Sequence, residues 1–191
     1  MSDGVWPRVA FQGERGAYSE DAIRHLWGRE VSPMPTWNFG DVIQAVSDGK
    51  TEYGILPVHN TVVGAIQNAV DALAAAPHLL VTDETTIEIH HALLAPTGAT
   101  LDTLTTIMSH PVALAQCGRF LSQHPHWTVR ESYDTAGAAR DVAAQGTRDQ
   151  AAIASVRAAQ RYQLAVLAED IQDVPDNQTR FVVIRDTRRN R

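Results

Sequence analysis

Four short stretches of this sequence gather side chains capable of binding or catalysis. The first, Gln12-Gly13-Glu14-Arg15-Gly16-Ala17-Tyr18-Ser19-Glu20, follows the apolar run Val9-Ala10-Phe11. Its glycines let the backbone approach a ligand closely, and a helix opening after them favours an anion. It reads equally as a tight turn in which Ser19 caps that helix. The second, His59-Asn60-Thr61, follows a buried-strand candidate and offers an imidazole, an amide and a hydroxyl, although Asn and Thr are also ordinary capping residues. The third, Ser109-His110-Pro111, leads into an apolar helical pattern holding Gln116 and Cys117. A Cys–His nucleophile is conceivable there, but a cysteine so far into an apolar helix reads better as a small core residue. The last, Asn177-Gln178-Thr179-Arg180-Phe181, sets an arginine beside a hydroxyl. That arginine could hold a carboxylate by its planar fork, or lie exposed at a plain strand entry.

Composition narrows the chemistry further. Of 16 basic residues among 191, Lys50 is the sole lysine, in the turn-like Ser47-Asp48-Gly49-Lys50. Lysine Schiff bases, pyridoxal-phosphate anchors and P-loops are therefore excluded, and anion binding falls to arginine, histidine, hydroxyls and backbone N–H groups. A net charge of −6 argues against a nucleic-acid partner. No apolar run reaches the roughly 18 residues that span a bilayer, so no membrane partner is expected. Met1-Ser2-Asp3-Gly4 lacks the features of a secretory signal, and the single Cys117 fits a reducing cytoplasm. His90-His91 and His124-Pro125-His126 lack the acidic or cysteine partners of a zinc site.

Apolar periodicity supplies the elements that must position these residues. Strands are expected at 8–11, 53–56 (stopped by Pro57), 79–96 with an interruption at His90-His91, 106–108, 128–130, 151–154 and 180–184. Helices are expected from Ser19 to Trp27, about 39–48, 64–75, 111–121 with Ser109 or His110 as cap, 134–144 with Asp134 as cap, and 155–162. A basic tail starts at Arg188. Two βα series joined by a β-rich middle imply an α/β protein of two lobes, with ligands at strand carboxyl ends.

Taken in order, these stretches resemble the prephenate dehydratase catalytic domain over about residues 8–186. The matching elements are Gly16-Ala17-Tyr18-Ser19-Glu20, Pro57-Val58-His59-Asn60-Thr61, Ser109-His110-Pro111 with Gln116-Cys117, Asp134-Thr135-Ala136-Gly137, Ala152-Ile153-Ala154-Ser155 and Asn177-Gln178-Thr179-Arg180-Phe181. The resemblance implies a two-lobed fold like type II periplasmic binding proteins, with mixed sheets flanked by helices and an inter-lobe active-site cleft. One catalytic domain would fill residues 1–191, lobe 1 taking about 8–84 plus 168–186 and lobe 2 about 85–167, with no room for a phenylalanine-sensing ACT domain. It implies a cytoplasmic homodimer that converts prephenate to phenylpyruvate without cofactor or metal. Thr179 would assist the leaving hydroxyl and Arg180 would bind a carboxylate. Tyr18, Ser19, His59, Asn60, Thr61, Ser109, His110, Gln116, Thr135 and Phe181 would contact substrate.

Two departures accompany the resemblance. The family usually has Glu-Asn-Ser where this chain has His59-Asn60-Thr61, and often Gln at the place of Val112. Histidine for glutamate removes an anion near a dianionic ligand, which favours prephenate over the ammonium-bearing arogenate. A prephenate decarboxylase and a non-catalytic anion-binding module are the competing readings. The intact Thr179-Arg180-Phe181 speaks against the former.

Overall fold

The structure, a computed structural model, describes residues 6–189, without the side chain of Arg189. Met1-Ser2-Asp3-Gly4 and the end of the basic tail lie outside the described residues. In chain order the elements are β1 (Arg8–Gln12), α1 (Tyr18–Trp27), β2 (Ser32–Thr36), α2 (Phe39–Ser47), β3 (Tyr53–Asn60), β4 (Gly64–Ala65), α3 (Gln67–Ala74) and β5 (Leu79–Glu88). There follow β6 (Ala92–Ala95), β7 (Thr106–Ser109), α4 (Pro111–Gln116), α5 (Gly118–Ser122), β8 (Thr128–Glu131), α6 (Thr135–Gln145), β9 (Gln150–Ala154), α7 (Val156–Tyr162), β10 (Ala165–Ala168) and β11 (Gln178–Asp186). They form two compact units. One takes the chain up to Gly13, Ser19–Glu88 and Gln178 onward; the other takes Glu14–Tyr18 and Ile89–Asn177.

The first unit is built on a sheet ordered β2-β1-β3-β11-β5, with β4 paired to β3. The trio β2, β1 and β3 is parallel, whereas β11 runs antiparallel to both of its neighbours. Its core packs Val42, Ala45 and Val46 of α2 and Ala69 of α3 against Ala10, Leu56, Val182 and Ile184 of the sheet. The second unit repeats the pattern. Its sheet is ordered β10-β6-β9-β7-β8, with β9, β7 and β8 parallel and β6 the reversed strand. Each sheet thus holds a reversed strand second from one edge. The amino ends of β11 and β6 lie beside the carboxyl ends of the parallel strands, where polar residues collect.

Local chemistry explains where these elements depart from the expected ones. Pro57 does not stop β3. The register with β11 skips Val58 between Pro57↔Phe181 and His59↔Arg180, and this bulge falls beside the proline, whose missing N–H would otherwise break the ladder. Helix α1 starts at Tyr18, so Ser19 is a buried residue of its first turn rather than its cap. Gly64-Ala65 pairs with β3 as a strand, and the third helix opens only at Gln67. The expected helix over 111–121 is broken at Cys117. The Asp173 carboxylate accepts the Arg119 backbone N–H at 3.0 Å and so serves the start of α5. Besides β4, two strands were not expected, β2 (Ser-Pro-Met-Pro-Thr) and β10. Both are edge strands, the place where proline and weak patterning are tolerated.

Candidate active site

At the end of β3 the chain must turn back into β4 within three residues, and Asn60 manages that turn. Its Oδ1 accepts the backbone N–H groups of Val62 (2.9 Å) and Val63 (3.1 Å), as asparagine does in tight turns. Its Nδ2 then faces the neighbouring strand, donating to the Gln178 carbonyl at 3.0 Å and to Thr179 Oγ1 at 2.9 Å. The register sets Asn60 directly opposite Thr179, and both are nearly sealed from solvent, at 5% and 6% exposure. The two backbone donors fix which end of the amide is oxygen, so the Thr179 oxygen must accept. A hydroxyl that accepts through a lone pair still has its own hydrogen to give.

Arg180 lies opposite His59 on β3 and Thr86 on β5. Strand alternation turns it away from the face that carries Thr179. Its guanidinium, half exposed, meets Glu84 Oε2 at 3.3 Å. His59 is exposed beside it. Thr61 extends the ladder: its N–H donates to the Gln178 carbonyl and its Oγ1 accepts the Gln178 N–H, both at 2.9 Å. Phe181 is a buried core residue of this unit.

In the second unit a network centred on the buried His91 joins Tyr18, Gln116 and Asn177. His91, just before β6 and 2% exposed, has Nδ1 2.8 Å from the Tyr18 hydroxyl and Nε2 2.8 Å from Gln116 Oε1. Gln116 Oε1 also accepts Asn177 Nδ2 at 3.2 Å. The backbone of His91 is tied as well, its N–H to Gln172 Oε1 at 2.9 Å and its carbonyl to Ile171 N–H at 3.1 Å. Burial lowers the His91 pKa from its usual value, against the opposing influence of the Gln116 bond. Ser109 is fully buried and donates to the Ile153 carbonyl at 2.6 Å. His110 caps α4, its Nδ1 accepting Val112 N–H at 3.2 Å. Thr135 opens α6 behind its cap Asp134, whose Oδ2 accepts the N–H groups of Gly137 (3.1 Å) and Glu14 (3.0 Å). The glycine turn docks here too: Gly16, at φ +93°, gives its carbonyl to Ser155 Oγ at 2.9 Å, and a Cβ on it would stand 3.1 Å from the Ala158 backbone.

Two other chemistries find little support in this geometry. The Cys117 thiol is buried, and burial with the nearby Asp173 pushes its pKa up to about 12, the opposite of an activated nucleophile. Among the described residues no group of three or more His, Cys, Asp or Glu could hold a metal ion. Likewise, no helix among them is long and apolar enough to cross a membrane.

The family model for prephenate dehydratase matches residues 9–189. The chain belongs to the prephenate dehydratase family. Among curated relatives, it is 38% identical over 185 residues to an arogenate dehydratase/prephenate dehydratase of Arabidopsis thaliana, covering 96% of this chain and 48% of the relative. It is 33% identical over 180 residues to the bifunctional chorismate mutase/prephenate dehydratase of Enterobacter agglomerans, covering 93% of this chain and 46% of that one. The chain thus spans about half the length of the curated relatives it matches. Among solved structures, the prephenate dehydratase of Arthrobacter aurescens in complex with L-Phe superposes with a TM-score of 0.86 at 28% identity, over 94% of this chain and 60% of that one. A protein described as a novel type of quorum quenching acylase superposes at 0.84 with 32% identity, over 93% of this chain and 63% of that one. A periplasmic substrate-binding protein of Coxiella burnetii, at 14% identity and a TM-score of 0.50 over 96% of this chain and 86% of that one, shares the fold alone. The expected α/β class, mixed sheets in a fold akin to periplasmic binding proteins, stands on these matches.

Within this family member the expected residues sort into groups. Asn60 and Thr179 come together in the first unit, while Tyr18 and Gln116 are linked in the second through His91. Ser109 and Thr61 have hydroxyls engaged with backbone, and Phe181 and Ser19 are buried. His91 and Asn177 were not expected at the site. His91 stood in a His-His pair weighed only as a metal ligand, and nothing in its spacing pointed to Gln116, 25 positions on. Asn177 did stand in the motif that carries Thr179.

Proposed function

We propose that this chain converts prephenate to phenylpyruvate, carbon dioxide and water, in the biosynthesis of phenylalanine. The observation that carries the reading is the Asn60–Thr179 bond. In the reaction the bond to the ring carboxylate breaks, its electron pair enters the ring, and the C–O bond at the opposite ring carbon breaks. The departing hydroxide takes a proton and leaves as water. Aromatisation drives this strongly, so the protein has to bind two carboxylates, orient the ring and stabilise the charge developing on the leaving oxygen. Thr179, held by Asn60 with its hydrogen available, is suited to the last task as a hydrogen-bond donor. A threonine hydroxyl is too weak an acid to be the net proton source, so the one proton consumed per turnover is drawn from acid in the solvent, hydronium or buffer, relayed through water.

Arg180 is the arginine proposed for a carboxylate. To serve, it must exchange Glu84 for substrate, which costs about 1 kcal/mol or less for an exposed pair, and reach around the strand end from the face opposite Thr179. His110, Gln116 and Thr135 are proposed as further hydrogen-bond donors, and Tyr18 as a further contact to substrate. The names of the plant relatives favour a second reading, in which arogenate is a substrate too. Arogenate differs by an ammonium in place of a keto group, and His59, where the family usually has glutamate, supports prephenate as the preferred of the two. A cytoplasmic homodimer belongs to the same reading, and sedimentation equilibrium tests the dimer.

The deciding experiment incubates purified protein with prephenate, and separately with arogenate, at neutral pH. Phenylpyruvate from the first is the expected product. A non-aromatic keto acid would instead mean a decarboxylase, and binding without turnover would mean a receptor. Release of a carboxylic acid from an acylated amine, with no action on prephenate, would point to acylase chemistry. Any of these three overturns the proposal.

A further inference from the structure

The second unit contains a histidine whose four polar groups are all engaged and which reaches no surface. Its side chain lies between Tyr18 Oη and Gln116 Oε1, each at 2.8 Å. Two arrangements of protons fit a neutral imidazole there, and they have opposite consequences for Gln116. With the hydrogen on Nε2, His91 donates to Gln116 Oε1 and its Nδ1 accepts the Tyr18 hydroxyl. With the hydrogen on Nδ1, Tyr18 becomes the acceptor and turns its own hydrogen to the His90 carbonyl, also 2.8 Å away. Gln116 would then have to reverse and present its NH2 to His91.

Asn177 discriminates between them. Its Nδ2 stands 3.2 Å from the same Gln116 oxygen. With the Asn177 amide oriented as it stands, a reversed Gln116 would bring two amide NH2 groups face to face, a buried donor–donor contact that costs more than the bond it replaces. The Nε2–H arrangement satisfies His91, Gln116 and Asn177 together, and its cost is that the single Tyr18 hydrogen goes to His91 Nδ1 instead of the His90 carbonyl. Gln116 is half buried, and among the described residues its Nε2 makes no hydrogen bond.

We infer that His91 is a positioning residue: its Nε2–H pins the Gln116 carbonyl oxygen, so that the Gln116 NH2 is held outward as a donor to a substrate oxygen. The kinetic side of this inference rests on the proposed dehydratase reading; the assignment of the proton does not. Gln116 is the group that touches substrate, and His91 acts through it. The arrangement parallels Asn60, whose oxygen is likewise pinned so that its NH2 end does the donating.

Two measurements test the inference. Long-range 15N–1H NMR of the wild-type protein reads the ring directly, and a protonated Nε2 with a bare Nδ1 is expected. The reverse tautomer overturns the inference whether or not the protein turns over prephenate. A kinetic cycle then compares His91→Leu, Gln116→Leu and the double variant. His91→Leu is expected to lower kcat/KM about 10- to 100-fold in the wild-type background and by no more than about twofold when Gln116 is already leucine. His91→Gln, whose amide can place an N–H near the lost Nε2, is expected to recover activity to within about fivefold of wild type. A full second loss in the double variant, or no recovery by glutamine with its fold intact, shows a role independent of Gln116 and overturns the inference. A wild type that converts neither prephenate nor arogenate removes the dehydratase reading, and the tautomer still decides this one.

Discussion

Asn60 donates to the hydroxyl oxygen of Thr179 across the β3–β11 pair at 2.9 Å, and two backbone N–H groups leave its amide no other orientation. The hydroxyl hydrogen of Thr179 is thereby available to a ligand. Its contact is weak with a neutral hydroxyl and strong with a departing hydroxide, so removing it should cost rate more than binding. Thr179→Val is expected to lower kcat by about 10²- to 10³-fold while KM moves only a few-fold, the size seen when one donor to a developing oxyanion is lost. Thr179→Ser should retain most of the rate. Steady-state kinetics on prephenate reads both, and normal turnover by the valine variant removes Thr179 from the mechanism.

Asn60→Asp separates the two ends of the same side chain. A carboxylate still accepts from Val62 and Val63, so the β3–β4 turn should hold, but it sets a buried oxygen against the Gln178 carbonyl where Nδ2 had donated, and stability should fall by about 1–3 kcal/mol. Yet it cannot donate to Thr179. Instead it accepts the threonine hydrogen and withdraws it from the ligand. The expected result is a fall in kcat approaching that of Thr179→Val, with an unchanged circular-dichroism spectrum and a Tm lowered by several degrees. A variant that keeps its rate would mean the orientation of Thr179 is set some other way.

How much of this was visible in the sequence depends on the range of the interaction. The caps Asp134 and Ser155 were legible because their partners lie within a few residues. The motif order also singled out Thr179 as a candidate. What escaped was set by pairing between distant segments. Residue spacing cannot show that Val58 is skipped opposite β11, and that bulge is what lets β3 run through Pro57 to Asn60. Nor can it show that Arg180 pairs with Glu84, 96 positions away, or that His91 joins Tyr18 to Gln116. The strands β2 and β10 were lost for the same reason, since edge strands take their definition from a neighbour rather than from their own pattern.

His59 is exposed and stands opposite Arg180, not Thr179, in the β3–β11 register. Under the proposed function its influence on substrate choice would therefore be mainly a long-range electrostatic one. Replacing it by glutamate adds a negative charge that favours the ammonium of arogenate and disfavours the keto acid. The ratio of kcat/KM for arogenate to that for prephenate should rise by about three- to tenfold in His59→Glu. The change should shrink in about 1 M salt, where the screening length falls to about 3 Å. A ratio that does not move would exclude His59 from specificity.

Cys117 closes α4 with its thiol buried and its pKa pushed up to about 12. At pH 8 only about one thiol in 10⁴ would be ionised, and that one is shielded, so the native protein should resist iodoacetamide for hours. Unfolding in guanidinium should release a single equivalent of rapid alkylation. Cys117→Ala should leave kcat unchanged and cost about 1–2 kcal/mol of stability through the small cavity it opens. Rapid modification of the native protein with loss of activity would restore the nucleophile that the geometry argues against.

Asp134 offers a test of the fold through pH. Its carboxylate caps α6 and also receives Glu14 N–H, fastening the glycine turn to the rest of the second unit. Burial nevertheless raises its pKa from the usual value, outweighing those N–H groups, and the carboxylate of Glu14 adds to the rise. A carboxyl whose pKa is raised on folding binds its proton more tightly in the native state than in the unfolded chain. Its contribution is therefore fully present below the unfolded pKa of about 3.9 and is lost as pH rises through the folded value. An asparagine side chain cannot ionise yet caps equally well, so Asp134→Asn should match or exceed wild-type stability at pH 7 and lose that advantage toward pH 4. Asp134→Ala, which leaves both N–H groups without their acceptor, should lose about 1–2 kcal/mol at either pH. Denaturant unfolding at the two pH values measures all three proteins. An asparagine variant that is less stable at pH 7 than at pH 4, relative to wild type, would mean that the charge on Asp134 stabilises the cap more than burial penalises it.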